Sequence, residues 1–255
     1  MTERPETRNL PARSQNGSGE GEGRGDTITD RVYAAIRRDV LGCRWPAGQR
    51  LKIRDIAAEL GVSPMPVRVA LRRLGEEGTL VIEENKSARV PFVSRQSFNE
   101  YLEISILLEG LAIERAASRI SKSSVMALRR EAEEMQREIE AGNTTDYALR
   151  FNGLLMKLYL EGGSGALIEM IEQVWIRTAP PTREVFEERG TVIRLNAALI
   201  AIVDAVAAGD VASAKETLAS VLHYVGRSAN LFLDMDQDLR LKPKRRMKKN
   251  DADLD

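Results

Sequence analysis

The sequence predicts a mainly α-helical protein: an N-terminal winged helix-turn-helix followed by a C-terminal all-α antiparallel helical bundle. Three observations predict it. Two short amphipathic segments around Ile53–Leu60 and Pro64–Glu77 are separated by a glycine-containing turn and followed by a hairpin pattern. From Ser94 onward every strong apolar pattern has a helical period. The breaks between those later segments are short, which makes consecutive helices antiparallel neighbours.

The elements follow in order. Residues 1–26 are rich in Gly, Ser, Glu and Arg and hold too little apolar surface to offset ordering, so a disordered tail is expected. Residues 27–93 form a compact unit. Its first helix spans about Thr29 to Leu41, with Val32, Ile36 and Val40 on one face. Pro46-Ala47-Gly48 then breaks the chain, and Arg50-Leu51-Lys52 reads as a short extended piece. Gly61 ends the second helix at a sharp turn. Ser63 stands at an N-cap position with Pro64 at the first helical position, and Gly78 stops the third helix. Thr79–Ile82 and Ala88–Val93 read as strands joined by the polar tip Glu83 to Ser87.

Residues 94–233 form a helical domain. Its helices are expected over Glu100–Ser118, Ser123–Ala141, Thr145–Glu161, Gly165–Arg177, Thr182–Ala208 and Val211–Leu233. Gly142-Asn143, Gly162 to Gly165, Pro180-Pro181 and Gly209-Asp210 supply the breaks, and Gly190 interrupts the fifth segment. Residues 234–255, with a basic run from Arg240 to Lys249, are expected to be a charged mobile tail.

Composition narrows the function classes. Lys+Arg and Asp+Glu are both 38, so net charge names no partner. A single cysteine, Cys43, excludes an intrachain disulfide and fits a reducing compartment. A single histidine, His223, argues against His-based metal sites and hydrolytic triads. No apolar run approaches the roughly 18 residues a membrane span needs, and the polar N-terminus offers no signal-peptide core. The expected location is therefore cytoplasmic, on the nucleoid.

Operator binding needs long basic side chains on the outer face of the recognition helix, a helix N-terminus near phosphate, and a positive surround. Arg68 and Arg72 lie four apart, opposite the inward set Val67, Ala70, Leu71 and Leu74, with Arg73 beside them. Arginine can bridge guanine O6 and N7 with two hydrogen bonds. Ser63 and the helix-start amides suit a phosphate oxygen. From Thr27 to Val93 there are 12 Lys/Arg against 8 Asp/Glu, an excess of four. On an anonymous helix these arginines would be a solvated face; the helix-turn-helix-wing order favours DNA.

The run Pro46-Ala47-Gly48-Gln49-Arg50-Leu51, then Ile56-Ala57-Ala58-Glu59-Leu60-Gly61-Val62-Ser63, then Pro66-Val67-Arg68-Val69-Ala70-Leu71-Arg72-Arg73-Leu74, closing on Glu77-Gly78, resembles the GntR family of bacterial regulators. The resemblance implies that Arg54 approaches DNA, Ser63 holds a phosphate, Arg68 reaches a guanine, and the wing tip enters the minor groove. The DNA-contacting set is then Arg54, Ser63, Met65, Arg68, Arg72 and Lys86. Two departures stand out: Pro64 where the family often has Arg or Lys, and a wing tip carrying Glu83 and Glu84, which are unfavourable beside phosphate.

The helical half is similar to the FCD effector domain of the FadR-like subfamily. The carrying residues are Leu107-Leu108-Glu109-Gly110-Leu111-Ala112, Phe151-Asn152 ahead of Gly162-Gly163, and Ile202 to Asp210. Many such domains hold a divalent metal with an Asp and three His. By resemblance those positions carry Ala148, Asn152, Leu199 and Val221, and an Arg often found on the first helix is Ser105. No metal and no cofactor are expected. The cavity is then either packed core or a pocket for an organic acid or a more hydrophobic effector, with Asn152, Arg177 and His223 as candidate polar anchors. The plain alternatives are a structural hydrogen bond for Asn152, a helix-end charge for Arg177 and a surface histidine for His223.

The expected function is a transcriptional regulator, a repressor by resemblance, that binds a short palindromic operator as a homodimer. Two other classes compete: a helical interaction module that has lost metabolite sensing, and an enzyme on the bundle. No nucleophile–base pair or metal cluster supports the enzyme.

Overall fold

A computed structural model describes residues 27–83, 87–144 and 146–241. The expected tail over 1–26, the wing-tip residues Glu84, Asn85 and Lys86, and the chain beyond Leu241 lie outside them.

Helix α1 (Ile28–Leu41) opens on a reciprocal cap. Thr27 Oγ1 accepts from the Asp30 N–H, and the Asp30 carboxylate accepts from the Thr27 N–H. Its buried face, Val32, Ala35, Ile36 and Val40, packs chiefly on the third helix. Strand β1 (Arg50–Lys52) leads into α2 (Ile53–Glu59), and Gly61 makes the turn at φ 64°, a left-handed conformation that suits glycine. Helix α3 (Pro64–Glu76) follows, then β2 (Val81–Glu83) and β3 (Ser87–Arg89). The sheet is antiparallel in the order β1-β3-β2, with Ala88 opposite both Leu51 and Ile82.

The strands are shorter than the apolar pattern suggests, for a local reason. The Thr79 and Leu80 amides both donate to the Leu74 carbonyl at the end of α3, so they close that helix and do not join a ladder. Gly75 lets the sheet approach: a Cβ there would overlap the Ile82 side chain.

The bundle comprises α4 (Arg95–Ala117), α5 (Lys122–Glu140), α6 (Tyr147–Leu160), α7 (Gly165–Glu187), α8 (Arg189–Ala207) and α9 (Val211–Leu241). Helix α4 packs on α7 and α9, while α8 packs on α5 and α9. Ser94 and Ser121 cap α4 and α5, each accepting from the amide three residues on. Capping at Ser94 moves the start of α4 ahead of the Glu100 that periodicity suggests.

Two boundaries need correction. Pro180-Pro181 does not break the chain; both prolines lie inside α7, and the break falls at Glu188. Each proline removes an amide donor and disfavours the preceding turn, at about 3 kcal/mol in a helix interior. The buried face that α7 carries through this stretch, Val174, Trp175, Ala179, Val185 and Phe186, offsets the cost at about 1.5–3 kcal/mol for each large side chain. The break itself is made by Glu188, whose carboxylate accepts from the Gly190 and Thr191 amides and opens α8. The last helix also continues to Leu241, past the expected end at Leu233.

Helix α8 is long and apolar enough by composition to cross a membrane, contrary to the sequence expectation. Its face Leu195, Leu199, Ile202, Val203 and Val206 is buried in the bundle core.

Two hydrophobic cores result, and each borrows from the other. Ile176 of α7, only 1% exposed, belongs to the core of the N-terminal unit. Cys43, just past α1, belongs to the bundle core, where its Sγ lies 3.4 Å from the Thr182 hydroxyl. Burial pushes the Cys43 thiol up to about 12, so it stays protonated and unreactive. Arg183 donates to the carbonyls of Cys43 and Arg44, and Asn152 Nδ2 donates to the Leu41 carbonyl at 2.8 Å.

Candidate nucleic-acid interface and the helical-domain cavity

Met65, Arg68 and Arg72 recur at helical spacing on the side of α3 opposite its buried Val67, Ala70, Leu71 and Leu74. Arg54 of α2 and Ser63, Met65, Arg68 and Arg72 around α3 are all exposed, Met65 at 64%. Ser63 is the N-cap of α3 by backbone geometry, yet its side chain makes no capping hydrogen bond. The amide it would cap belongs to Pro66, which has no N–H, and Pro64 has none either, so what this exposed helix start offers a phosphate oxygen is the Ser63 hydroxyl and the Met65 amide. Arg54 and Arg68 have no ion pair among the described residues. Arg72 reaches Glu76 at 3.6 Å, with both side chains 71% exposed, a pair too solvated to hold it back. Lys86 lies outside the described residues.

Arg73 has a different task from its neighbours. Its guanidinium stacks over the Tyr33 ring at 3.9 Å, donates to Glu77 at 3.1 Å and lies 3.6 Å from Asp30. Tyr33 in turn donates to Glu77 at 2.6 Å. This cluster ties α3 to α1.

Glu83 is less unfavourable beside phosphate than the sequence suggests. Glu83 is held by Arg50 at 2.9 Å and by Arg89 at 2.5 Å. The Arg89 hydrogen bond leads in holding its carboxyl below the usual range, with Ser87 and the charges of Arg89 and Arg50 adding to it. Its charge is thus neutralised within the sheet. Arg50 and Arg89 were not singled out in the sequence, since their partner is set by the β1-β3-β2 pairing.

In the bundle, a small cavity of about 60 Å³ is lined by Phe98, Ser105, Glu109, Asn152, Trp175 and Val221, among others. Glu109 is 0% exposed. It accepts from Tyr159 Oη at 2.8 Å, from Trp175 Nε1 at 3.0 Å and from the Ser105 hydroxyl. Burial raises its carboxyl above the usual carboxylate range, against the three hydrogen bonds that lower it. The six candidate pocket residues do not converge. Asn152 and Val221 line this cavity, Ala148 and Leu199 are buried in the core, Arg177 lines a separate cleft, and His223 is exposed on α9.

Residues 28–90 match the description "Bacterial regulatory proteins, gntR family", and residues 100–224 match the FCD domain. The chain belongs to the GntR family and carries an FCD domain. It is 30% identical over 141 residues to the HTH-type transcriptional regulator McbR of Escherichia coli, covering 55% of this chain and 63% of that one. It is 26% identical to the HTH-type transcriptional repressor RspR of the same organism, covering 47% of this chain and 53% of that one. The chain thus spans under two thirds of the length of these curated relatives. The solved structure of E. coli McbR/YncC shares the fold at a TM-score of 0.73 and 22% identity, over 83% of this chain and 99% of that one.

The divalent metal that this resemblance implies does not fit the residues present. Ala148, Leu199 and Val221 offer no donor atom, and the Asn152 amide already serves the Leu41 carbonyl. Among the described residues no three of His, Cys, Asp and Glu cluster as metal ligands.

Proposed function

We propose that this GntR-family chain is a sequence-selective DNA-binding transcription regulator, acting as a repressor. The observation that carries the proposal is the exposed row Met65, Arg68 and Arg72 on α3, opposite its buried face, with Arg54 and Ser63 also exposed. Arg68 and Arg72 read base edges, Arg54 and Ser63 hold phosphate, and Lys86 of the wing adds a contact. The printed name of RspR supports repression. A cytoplasmic, nucleoid-bound location follows from that role.

The regulator acts as a homodimer on a palindromic site. Helix α4 leaves Ile104, Leu107 and Leu111 exposed at helical spacing, Leu107 at 73%, and Met170 of α7 is exposed as well. This stripe suits a second copy of the chain, whose two-fold axis would match the operator. Leu107→Glu should yield a monomer in size-exclusion chromatography with light scattering.

Fluorescence anisotropy against the intergenic DNA beside the gene, with random DNA as competitor, tests the proposal. Arg68→Ala should weaken operator binding roughly tenfold, the value of one lost bidentate guanine contact. Equal affinity for operator and random DNA would end the proposal. A module that has lost metabolite sensing is the second reading, favoured by a bundle cavity of only about 60 Å³.

A further inference from the structure

We propose that the groove between α1 and α6 is a binding site for a small organic anion with an apolar body. It holds about 750 Å³. Ligand sites are typically about 300–1,000 Å³, a range the cavity inside the bundle falls far below. One wall is α1 of the N-terminal unit; the other is α6 with part of α7. Leu41, Leu149, Met156 and Trp175 give it an apolar lining.

Four cations face the groove, Arg37, Arg38, Arg150 and Lys157, against two carboxylates, Glu131 and Glu172. Three of the cations are already paired. Arg37 meets Glu172 at 2.9 Å, Lys157 meets Glu131 at 2.7 Å, and Arg150 meets Glu138. Arg38 has no ion pair among the described residues, and its Nε is buried without a hydrogen-bond partner. A buried N–H donor left unmade is costly, and a charged one more so. That Nε is closed off from the groove, so what Arg38 offers a carboxylate or phosphate there is the one lining charge with no ion pair among the described residues.

Gly153 is the second observation. It sits inside α6 and lines the groove, where glycine is a poor helix residue. A Cβ there would meet nothing within 4 Å, so no close packing demands glycine. Its effect is to leave the groove wall bare. Asn152, next in the chain, lines both the groove and the bundle cavity while holding the Leu41 carbonyl at the end of α1. A ligand bridging α1 and α6 therefore bears on the placement of the N-terminal unit, and shifts it to the extent that it prefers one placement.

This role as an effector site rests on the regulator proposal, so the test is made without DNA. Trp45→Phe leaves Trp175, which lines the groove, as the one tryptophan of the chain. The full chain carrying that change is titrated with decanoate, benzoate and phenyl phosphate, with decylammonium and decanol as controls, and followed by tryptophan fluorescence. At least one anion should give a saturable change, and the controls none. Gly153→Phe and Arg38→Gln, each checked for native circular dichroism, should weaken that binding about tenfold or more, the value of one charge-assisted hydrogen bond. The proposal is overturned if no anion saturates, or if Gly153→Phe binds the anions as tightly as its parent. Operator binding measured on the same samples is unaffected by either negative outcome, which separates the two proposals.

Discussion

Replacing Ile176 by Ala tests whether the two cores are joined as the structure shows. Ile176 belongs to α7, yet its side chain is 1% exposed within the core of the N-terminal unit. Ile→Ala deletes three buried carbons, and at about 0.8 kcal/mol each the transfer loss is about 2.4 kcal/mol. A residual cavity adds to this, because the rigid turn of α7 at this point limits collapse, and a total of about 3 kcal/mol falls within the range for such substitutions. For a chain of this length that is a fall in Tm of roughly 6–12 °C. Differential scanning calorimetry reads it directly, with Ile193→Ala as an exposed control at 41% exposure. A second consequence concerns cooperativity. Weakening the shared contact should broaden the transition or split it in two, since α1 and α7 are then less tightly coupled. A loss under about 1 kcal/mol, no greater than the exposed control, would refute the claim that α7 completes the N-terminal core.

Three further outcomes follow. Glu109 has a folded-state pKa raised by burial, so the native state holds its proton more tightly than the unfolded chain does. Its contribution is complete in acid and is lost as pH rises through the raised value; the parent should therefore lose stability relative to Glu109→Gln as pH climbs above the ordinary carboxylate range, with a limiting slope of about 1.4 kcal/mol per pH unit. Parallel urea-melt profiles for the two proteins would refute it. Arg73→Ala should lower stability by about 1 kcal/mol through loss of the Tyr33 stack and its ion pairs. The same variant should keep its preference for operator over random DNA, unlike Arg68→Ala, in an anisotropy competition. Gly153→Ala should stabilise the chain by about 0.5–1 kcal/mol, read as a rise in Tm, because the helix gains propensity and the methyl meets open space.

The recognition helix was legible because its signals are local. Ser63 and Pro64 mark its start, Gly78 its limit, and Val67, Ala70, Leu71 and Leu74 its inward face. These are short-range preferences that tertiary packing does not override here. Pro180-Pro181 misled for the opposite reason: proline is a strong local breaker, but the buried face of α7 outweighs it, and the real break is a carboxylate cap at Glu188. The sheet was placed only roughly, because Thr79 and Leu80 look like strand residues while their amides close α3. The helical-domain residues were the least legible. Helical period marks Ile176 and Asn152 as inward or half-inward, but it does not say against which unit. Asn152 meets a carbonyl 111 residues away, and the free guanidinium edge of Arg38 is visible only once α1 lies beside α6.

The exchange of side chains between the two cores bears on modular engineering. Cutting the chain near Val93 to transplant the operator reader would remove Ile176 and leave a hole in the N-terminal core. It would also strand Cys43, with a left-handed φ of 56°, as an exposed apolar knuckle with nothing to seat it. Chimeric regulators made from this protein should therefore keep α1 and the Ile176–Thr182 stretch of α7 as a matched pair, and the fusion point belongs elsewhere than in the linker ahead of α4.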